Sequence, residues 1–562
     1  MKSIREKLAE IYSGKAIDFT FQEIEKLISA YKSKLKNSNY LLTEKDVILI
    51  AYGDHVKKQG ENHLVTLHTF LEKHLDNQIN TVHLLPFYPY SSDDGFSVID
   101  YYAVNPELGN WKDIEHLAKD YRLMFDAVVN HISSESEWFK EYLNENPDYE
   151  IFFVDISPDT DLSEVVRPRA LPLLSEFTSK SGAEKHIWTT FSRDQIDLNY
   201  ENPKVLLQVL DVLLFYISKG AKLIRLDAIG FLWKIPGTSC IHLPQTHAII
   251  QLARLIIEEI TKDVVLITET NVPHAENISY FGDGNNEAHM VYNFTLPPLL
   301  AYSILKGDIT DLKKWATSLG LPSKDTCFFN FTASHDGVGV RPLQGILADT
   351  EISFLANKAE QHGGFVSYKN NPDGSQSPYE LNCNYMDLIS DPEEDDVIRI
   401  KKMLLAQGIM LAMPGVPGIY FHSLVGSGNY KDGVEITGQK RTINREKLDY
   451  DELSKDLVDG ESFRNQYFNA YLKLIETRQN NAAFNPFGVF QFPDLHEKIF
   501  VIERFSADKT QKVLALFNLS NQPQNLIIPK LKGKSLLDTS EIINEEVKLE
   551  AYEQKWVSVD FD

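Results

Sequence analysis

The feature that most restricts this chain is an alternation. Eight short apolar, β-rich runs occur along it, most of them followed by a helical stretch: Val47–Tyr52, Thr81–Tyr88, Arg122–Asn130, Ala221–Asp227, Val264–Glu269, His289–Phe294, Cys327–Ala333 and Gly418–Leu424. One such run taken alone could equally be a buried helical segment. Eight in alternation with helices predict an α/β fold, a (β/α)8 TIM barrel. Parallel strands need a crossover each, and closing the sheet leaves no exposed edge.

Two connections are too long for a plain barrel, and loops of that length in a compact domain are usually functional. The chain is therefore divided into six parts. Residues 1–131 carry N-terminal amphipathic helices and the first barrel strands, and residues 132–199 are an inserted subdomain rich in Asp, Pro and Ser. Residues 200–336 continue the barrel, 337–398 form a second inserted subdomain, and 399–484 end the barrel. In 485–562 the pattern changes to short strands and turns (Val489–Phe492, Ile499–Arg504, Val513–Leu519, Asn525–Ile528), which predicts a C-terminal all-β domain.

Bulk charge narrows the function. Lys plus Arg number 56 against 80 Asp plus Glu, a net charge of −24. A nucleic-acid partner needs clustered positive charge, and no basic stripe is present. The opening Met-Lys-Ser-Ile-Arg-Glu-Lys-Leu lacks a leader's apolar run, and no stretch of about 18 apolar residues offers a membrane span. Cys240, Cys327 and Cys383 are odd in number and fit no metal spacing. The expectation is a cytoplasmic protein with no nucleic-acid or membrane partner; oligomeric state leaves no mark in the sequence.

The strands of such a barrel aim their C-terminal ends at one mouth. Run three ends Phe125-Asp-Ala-Val-Val-Asn-His131, run four Ile224-Arg-Leu-Asp-Ala228, run five Leu266-Ile-Thr-Glu-Thr270 and run seven Thr332-Ala-Ser-His-Asp-Gly337. Four strand ends thus direct Asp126, His131, Arg225, Asp227, Glu269, His335 and Asp336 together. Charges inside apolar runs are costly to bury without partners, so four coincidences point to a site rather than to chance. Paired carboxyls suit glycoside chemistry: one serves as acid, one as nucleophile or base, and a third can stabilise an oxocarbenium-like transition state.

These motifs resemble the conserved regions of glycoside hydrolase family 13, the α-amylase superfamily, and within it the sucrose phosphorylase subgroup. The resemblance spans nearly the whole chain. It rests on Pro86-Phe-Tyr-Pro-Tyr-Ser-Ser-Asp-Asp-Gly-Phe-Ser-Val-Ile-Asp-Tyr101, Arg225-Leu-Asp-Ala-Ile-Gly230, Ile267-Thr-Glu-Thr-Asn-Val-Pro-His274, Ser334-His-Asp-Gly337 and Thr442-Ile-Asn-Arg445. It implies that Asp227 is the nucleophile, Glu269 the acid and then the base, and Asp336 the transition-state stabiliser, with Arg225 orienting Asp227. It implies that Asp93, Phe96, His131, His335 and Arg445 grip the terminal glucose; on spacing alone, Asp93 in Ser-Ser-Asp-Asp-Gly is as well read as a turn. Arg169, with Arg167 as a second candidate in Val166-Arg-Pro-Arg-Ala-Leu-Pro172, is implied to contact phosphate, and Gln195 the acceptor side.

The string Gly363–Asn382, with Tyr368, Lys369 and Tyr379 as acceptor-loop candidates, departs from the sucrose-active pattern, as does Phe231 where those members carry Tyr. It is similar to relatives active on 2-O-α-glucosyl-D-glycerate or glucosylglycerol. The implied partners are a small sugar substrate and inorganic phosphate. A glycerate carboxylate would need a cation, from Lys369 or an arginine. The resemblance implies no cofactor and no metal, although Asn130 stands where many amylases place a calcium ligand. Open alternatives are phosphorolysis of glucosylglycerol, sucrose or sucrose 6′-phosphate, hydrolysis by an amylase-type enzyme, and a non-catalytic sugar-binding barrel.

Overall fold

The computed structural model describes residues 1–35, 42–75, 77–169, 171–370 and 375–559. The expected barrel is present. Its strands are β1 (Ile48–Ala51), β2 (Thr81–Leu84), β3 (Arg122–Ala127), β4 (Ala221–Leu226), β5 (Val265–Thr268), β6 (Met290–Tyr292), β7 (Cys327–Phe331) and β8 (Val416–Tyr420). They pair in parallel in chain order, and β1 closes the ring onto β8, with Ile48 opposite Gly418. Nearly every strand residue is buried, because helices cover the outside and side chains fill the inside. That is why the strands read as continuous apolar runs rather than as alternation.

The last strand departs from expectation. The sequence puts the run at Gly418–Leu424, whereas the strand is Val416–Tyr420 and Phe421–Leu424 turns helical. Pro417 and Gly418 disguise it, since both normally break strands. Gly418 is required by packing: a Cβ there would lie 2.2 Å from Phe329 Cζ on the neighbouring β7.

Helices follow seven of the strands in the expected way. The helix Pro203–Ser218, for example, starts with Asn202 accepting from the Lys204 amide and proline at its first turn, and buries Val205, Leu206, Val209, Leu210 and Leu213 at helical spacing. After β5 only a single turn, His274–Asn277, and a 3-10 turn, Ile278–Phe281, intervene. The N-terminal helices Lys2–Ile11 and Lys15–Lys32 bury Ile4, Leu8, Ile24 and Ile28 and lie against Pro244–Ile260 and Pro203–Ser218.

The first long connection holds the helix Glu137–Leu143, the hairpin Leu174–Thr178 with Glu184–Trp188, and a second pairing of His131–Ser133 with Gln195–Asp197. The second holds the helix Asp349–Gln361 and a three-stranded antiparallel sheet of Val338–Gly339, Gln376–Asn382 and Phe365–Asn370. The Asn-Pro-Asp-Gly stretch at 371–374, part of the expected acceptor loop, lies outside the described residues. The C-terminal region is all β, a six-stranded sheet beside a two-stranded one. Buried Arg504 joins it to the barrel, donating to the Ala412 and Met413 carbonyls at 2.8 and 2.9 Å, where the helix Asp396–Ala412 ends with unpaired acceptors. Among the described residues no helix is long and apolar enough to cross a membrane.

Candidate active site

Loops at the C-terminal ends of the strands line a cavity that opens to solvent. Asp227 follows β4 directly and Glu269 follows β5 directly, so two rigid strands fix both carboxyls against this cavity. Ala228, next to Asp227, adopts a left-handed backbone (φ 47°) that is strained for a residue with a side chain, a device found where function fixes geometry. Asp336 is held differently. β7 stops at Phe331, and the carboxyl sits five residues on, in a loop whose Ser334 and Asp336 carbonyls both accept from Asn444 Nδ2 at 3.0 Å. Gly337 lets the second insertion close over this loop: a Cβ there would lie 2.6 Å from Glu380 Cγ.

One buried guanidinium organises the floor. Arg225 projects from β4, donates to Asp126 and to Asp227 Oδ1 (2.7 Å), and lies 3.7 Å from Glu269. Asp126 also pairs with His83 at 2.7 Å. Against the cost of burial, Arg225 and His83 keep Asp126 ionised below the ordinary carboxyl range. Burial raises Glu269, and the Asp336 charge raises it further. Burial also pushes Asp227 up, to about 8, in spite of Arg225. Two such carboxyls titrate as a pair. The guanidinium lies closer to Asp227 than to Glu269, so the charge is better placed on Asp227 and the proton on Glu269, against the smaller pull of the Ala228 amide, which donates to Glu269 Oε2 at 3.1 Å. Neighbouring carboxylates were expected to raise Glu269; burial contributes more.

The glucose candidates gather around the same cavity. His131 Nε2 lies 2.9 Å from the Phe96 carbonyl, and Gln195 Nε2 donates to that carbonyl at 3.0 Å. Gln195, the acceptor-side candidate, is buried beside the glucose candidates Phe96 and His131. The Phe96 ring stacks on His335, with centroids 4.6 Å apart and planes at 6°. His335 is neutral, burial lowering it to about 3. Arg445 stands behind the lining: it donates to the His335 carbonyl at 2.7 Å and to Asp94 at 2.7 Å, and lies 3.6 Å from Asp336. Asp93 and Asp94 both take left-handed backbones (φ 52° and 47°), so the Ser-Ser-Asp-Asp-Gly string is a turn and also faces the site. Asp194, from the first insertion, accepts from Ser91, Ser92, Ser97 and Ser134 and pins that turn.

Of the phosphate candidates, Arg169 lines the cavity and pairs with Asp93 at 3.2 Å. Arg167 is exposed and outside it: residues two apart would share a face of an extended strand, but the chain bends at Pro168 and Arg169 and parts the two side chains. Of the acceptor-loop candidates, Tyr379 lines the cavity; Tyr368 is exposed, and Lys369 lines an adjoining cavity instead. Phe231 lines the main cavity, edge-on to Phe191 at 5.5 Å. Asn130 Oδ1 accepts from Lys234 Nζ at 3.1 Å, and the same ammonium pairs with Asp197 at 2.7 Å. A lysine therefore supplies the positive charge at the position where calcium was considered.

Three charged lining residues were not among the sequence candidates: Arg341, Arg441 and Glu380. Arg441 clamps two carboxylates, Asp336 Oδ1 at 2.5 Å and both Glu380 oxygens at 2.6 and 3.0 Å. Against burial, Arg441 and Arg445 hold Asp336 well below the ordinary carboxyl range. The available signal was position: Arg441 is four residues before Arg445 on the 3-10 turn Lys440–Asn444, hence near it in space.

Comparison with known proteins agrees with this geometry. Residues 73–339 match the α-amylase catalytic-domain family. A curated glucosylglycerate phosphorylase of Spirochaeta thermophila is 47% identical over 94% of this chain and 90% of its own. One from Escherichia coli is 45% identical over 99% of this chain and 100% of its own. The crystal structure of sucrose 6F-phosphate phosphorylase from Thermoanaerobacter thermosaccharolyticum superposes with a TM-score of 0.75 at 25% identity, covering 90% of this chain and 98% of that one.

Proposed function

The chain belongs to glycoside hydrolase family 13, the α-amylase family, beside the glucosylglycerate phosphorylases, and from that membership we propose that it is a retaining phosphorylase of 2-O-α-D-glucosyl-D-glycerate. It converts this glucoside and inorganic phosphate reversibly into α-D-glucose 1-phosphate and D-glycerate. The acceptor follows from two curated relatives that are 47% and 45% identical over nearly the full chain. The chemistry is carried by one observation: a single arginine, Arg225, bridges Asp227 and Glu269 in the cavity that Asp336 also lines.

The reaction runs as a double displacement. Ionised Asp227 attacks the anomeric carbon. The glycosidic bond breaks as Glu269 gives its proton to the departing oxygen, and glycerate leaves as the alcohol. Asp336, fixed and charged by Arg441 and Arg445, stabilises the oxocarbenium-like transition state. A β-glucosyl ester on Asp227 remains. Phosphate then attacks the same carbon and gives its proton to Glu269, now a base. The ester bond breaks and Asp227 returns as a carboxylate. Two inversions give net retention.

Asp93, His131 and His335 face the glucosyl hydroxyls, with Phe96 against the ring, while Arg169 draws phosphate toward the ester. A cytoplasmic location, where phosphate is abundant and the charged product is retained, fits three buried, unpaired cysteines. The test is incubation with glucosylglycerate, with and without phosphate. Phosphate-dependent α-glucose 1-phosphate is the expected result. Free glucose at the same rate in both arms would overturn phosphorolysis, and faster phosphorolysis of sucrose would overturn the acceptor.

A further inference from the structure

Glycerate carries a negative charge into a cavity already lined by Asp93, Asp227, Glu269, Asp336 and Glu380. Some cation must receive it, and three guanidinium groups line the cavity. Arg441 is fully committed, 2.5 Å from Asp336 and 2.6 Å from Glu380. Arg169 pairs with Asp93 at 3.2 Å. Arg341 is different. Among the described residues its one carboxylate neighbour is Glu276, at 4.0 Å, and its side chain is 16% exposed. A guanidinium that is sheltered yet uncompensated is the best receptor for a carboxylate, because little has to be displaced to form a two-pronged contact.

Its placement is also built. Arg341 opens the 3-10 turn Arg341–Leu343 directly after Val340, whose amide donates to the Tyr379 carbonyl at 3.1 Å. Arg341 and Tyr379 are shared by the main cavity and by the adjoining one that Lys369 lines, so they form the wall between the two. Lys369 lines the adjoining cavity, beyond that wall, and burial and the positive charge of Arg341 both push its ammonium down. The wall thus presents Arg341 to both cavities, with Lys369 beside it in the adjoining one.

Resting on the assignment of glycerate as acceptor, we infer that Arg341 binds the acceptor carboxylate and sets the enzyme's preference for a charged acceptor over a neutral one. Arg169 serves phosphate, and Lys369 raises the local potential without direct contact.

The test runs the reaction in the synthetic direction with α-glucose 1-phosphate as donor. Arg341→Gln, which keeps much of the side chain's length, and Arg341→Ala are compared with the parent. We expect each to raise KM for D-glycerate about tenfold more than it raises KM for α-glucose 1-phosphate, the loss typical of one charged hydrogen-bonded contact. Arg341→Lys should recover part of that loss. Circular dichroism and melting temperature confirm that the variants fold. Equal rises in both KM values would make Arg341 a phosphate ligand, and an unaltered KM for glycerate would remove it from the site; either overturns the inference. A larger selective rise in Lys369→Ala would transfer the role to Lys369 and also overturn it. A parent enzyme that makes no product from glycerate would instead overturn the assignment of the acceptor itself.

Discussion

The floor and the rim of the cavity are built on opposite plans. On the floor, Asp126, Asp227, Glu269 and Asp336 are all bound to Arg225, Arg441 or Arg445, and every member lies on a barrel strand or on a loop tied to one. On the rim, Arg169, Arg341 and Tyr379 come from the two long insertions, and two of these three are cations with weaker or longer pairings. The floor is rigid and internally compensated; the rim leaves charge for a visitor. Bond-making to the sugar needs fixed geometry, whereas glycerate and phosphate must in turn occupy one place and leave it. The difference predicts that floor variants lose turnover and rim variants lose affinity.

The largest effect should come from Asp227→Ala, a loss on the order of 10⁴-fold or more in α-glucose 1-phosphate formation, with no ester trapped on the protein. Retention of turnover would break the distinction at its root. Glu269→Gln should lose roughly 10²–10⁴-fold in turnover, and it should also lose the parent's decline on the alkaline side, because that decline reports the Glu269 proton. The sign is fixed by the raised affinity: Glu269 keeps its proton above the usual carboxyl range and releases it as pH rises. The charge it then buries destabilises the fold, so Glu269→Gln should gain in melting temperature over the parent at pH 8 and little at pH 5.

Arg441→Ala strands Asp336 and Glu380 together. It should cost roughly 2–4 kcal/mol of stability by chemical denaturation, with part restored by adding Glu380→Gln. Failure of that rescue would mean the clamp does not act through Glu380. Arg169→Ala should raise KM for phosphate about tenfold while turnover at saturating phosphate falls far less. Arg167→Ala, facing solvent, should stay within about twofold on every parameter. A large effect there would blur the boundary of the rim.

The same contrast explains what was legible in the sequence. Asp227, Glu269 and Arg225 sit at the ends of apolar runs, where a charge stands out, and the run and the residue are adjacent in the chain. Asp336 was visible through His-Asp-Gly, although its strand stops earlier than the run suggests. Residues supplied by turns and insertions, on the rim or beneath it, have no such flag. Arg341 and Arg441 are brought in by 3-10 turns, and no spacing in the chain encodes which way a turn residue points. Arg167 and Arg169 read alike in sequence, and only the backbone direction around Pro168 separates them. β8 was expected to start two residues late and end four residues late because its glycine answers to Phe329 on a strand far away in the chain.

The loop that carries Asp336 is held by Asn444 and its carboxylate by Arg441, both encoded after the last barrel strand. During synthesis Arg225 emerges before Asp227 and Glu269, whereas Asp336 emerges long before its clamps Arg441 and Asn444. A nascent chain therefore holds the complete set of reacting groups in an unassembled state. Ring closure of β1 onto β8, a contact between distant parts of the chain and for that reason slow to form, brings the clamps within reach. Enzyme competence arrives as a late, single event, tied to completion of the barrel.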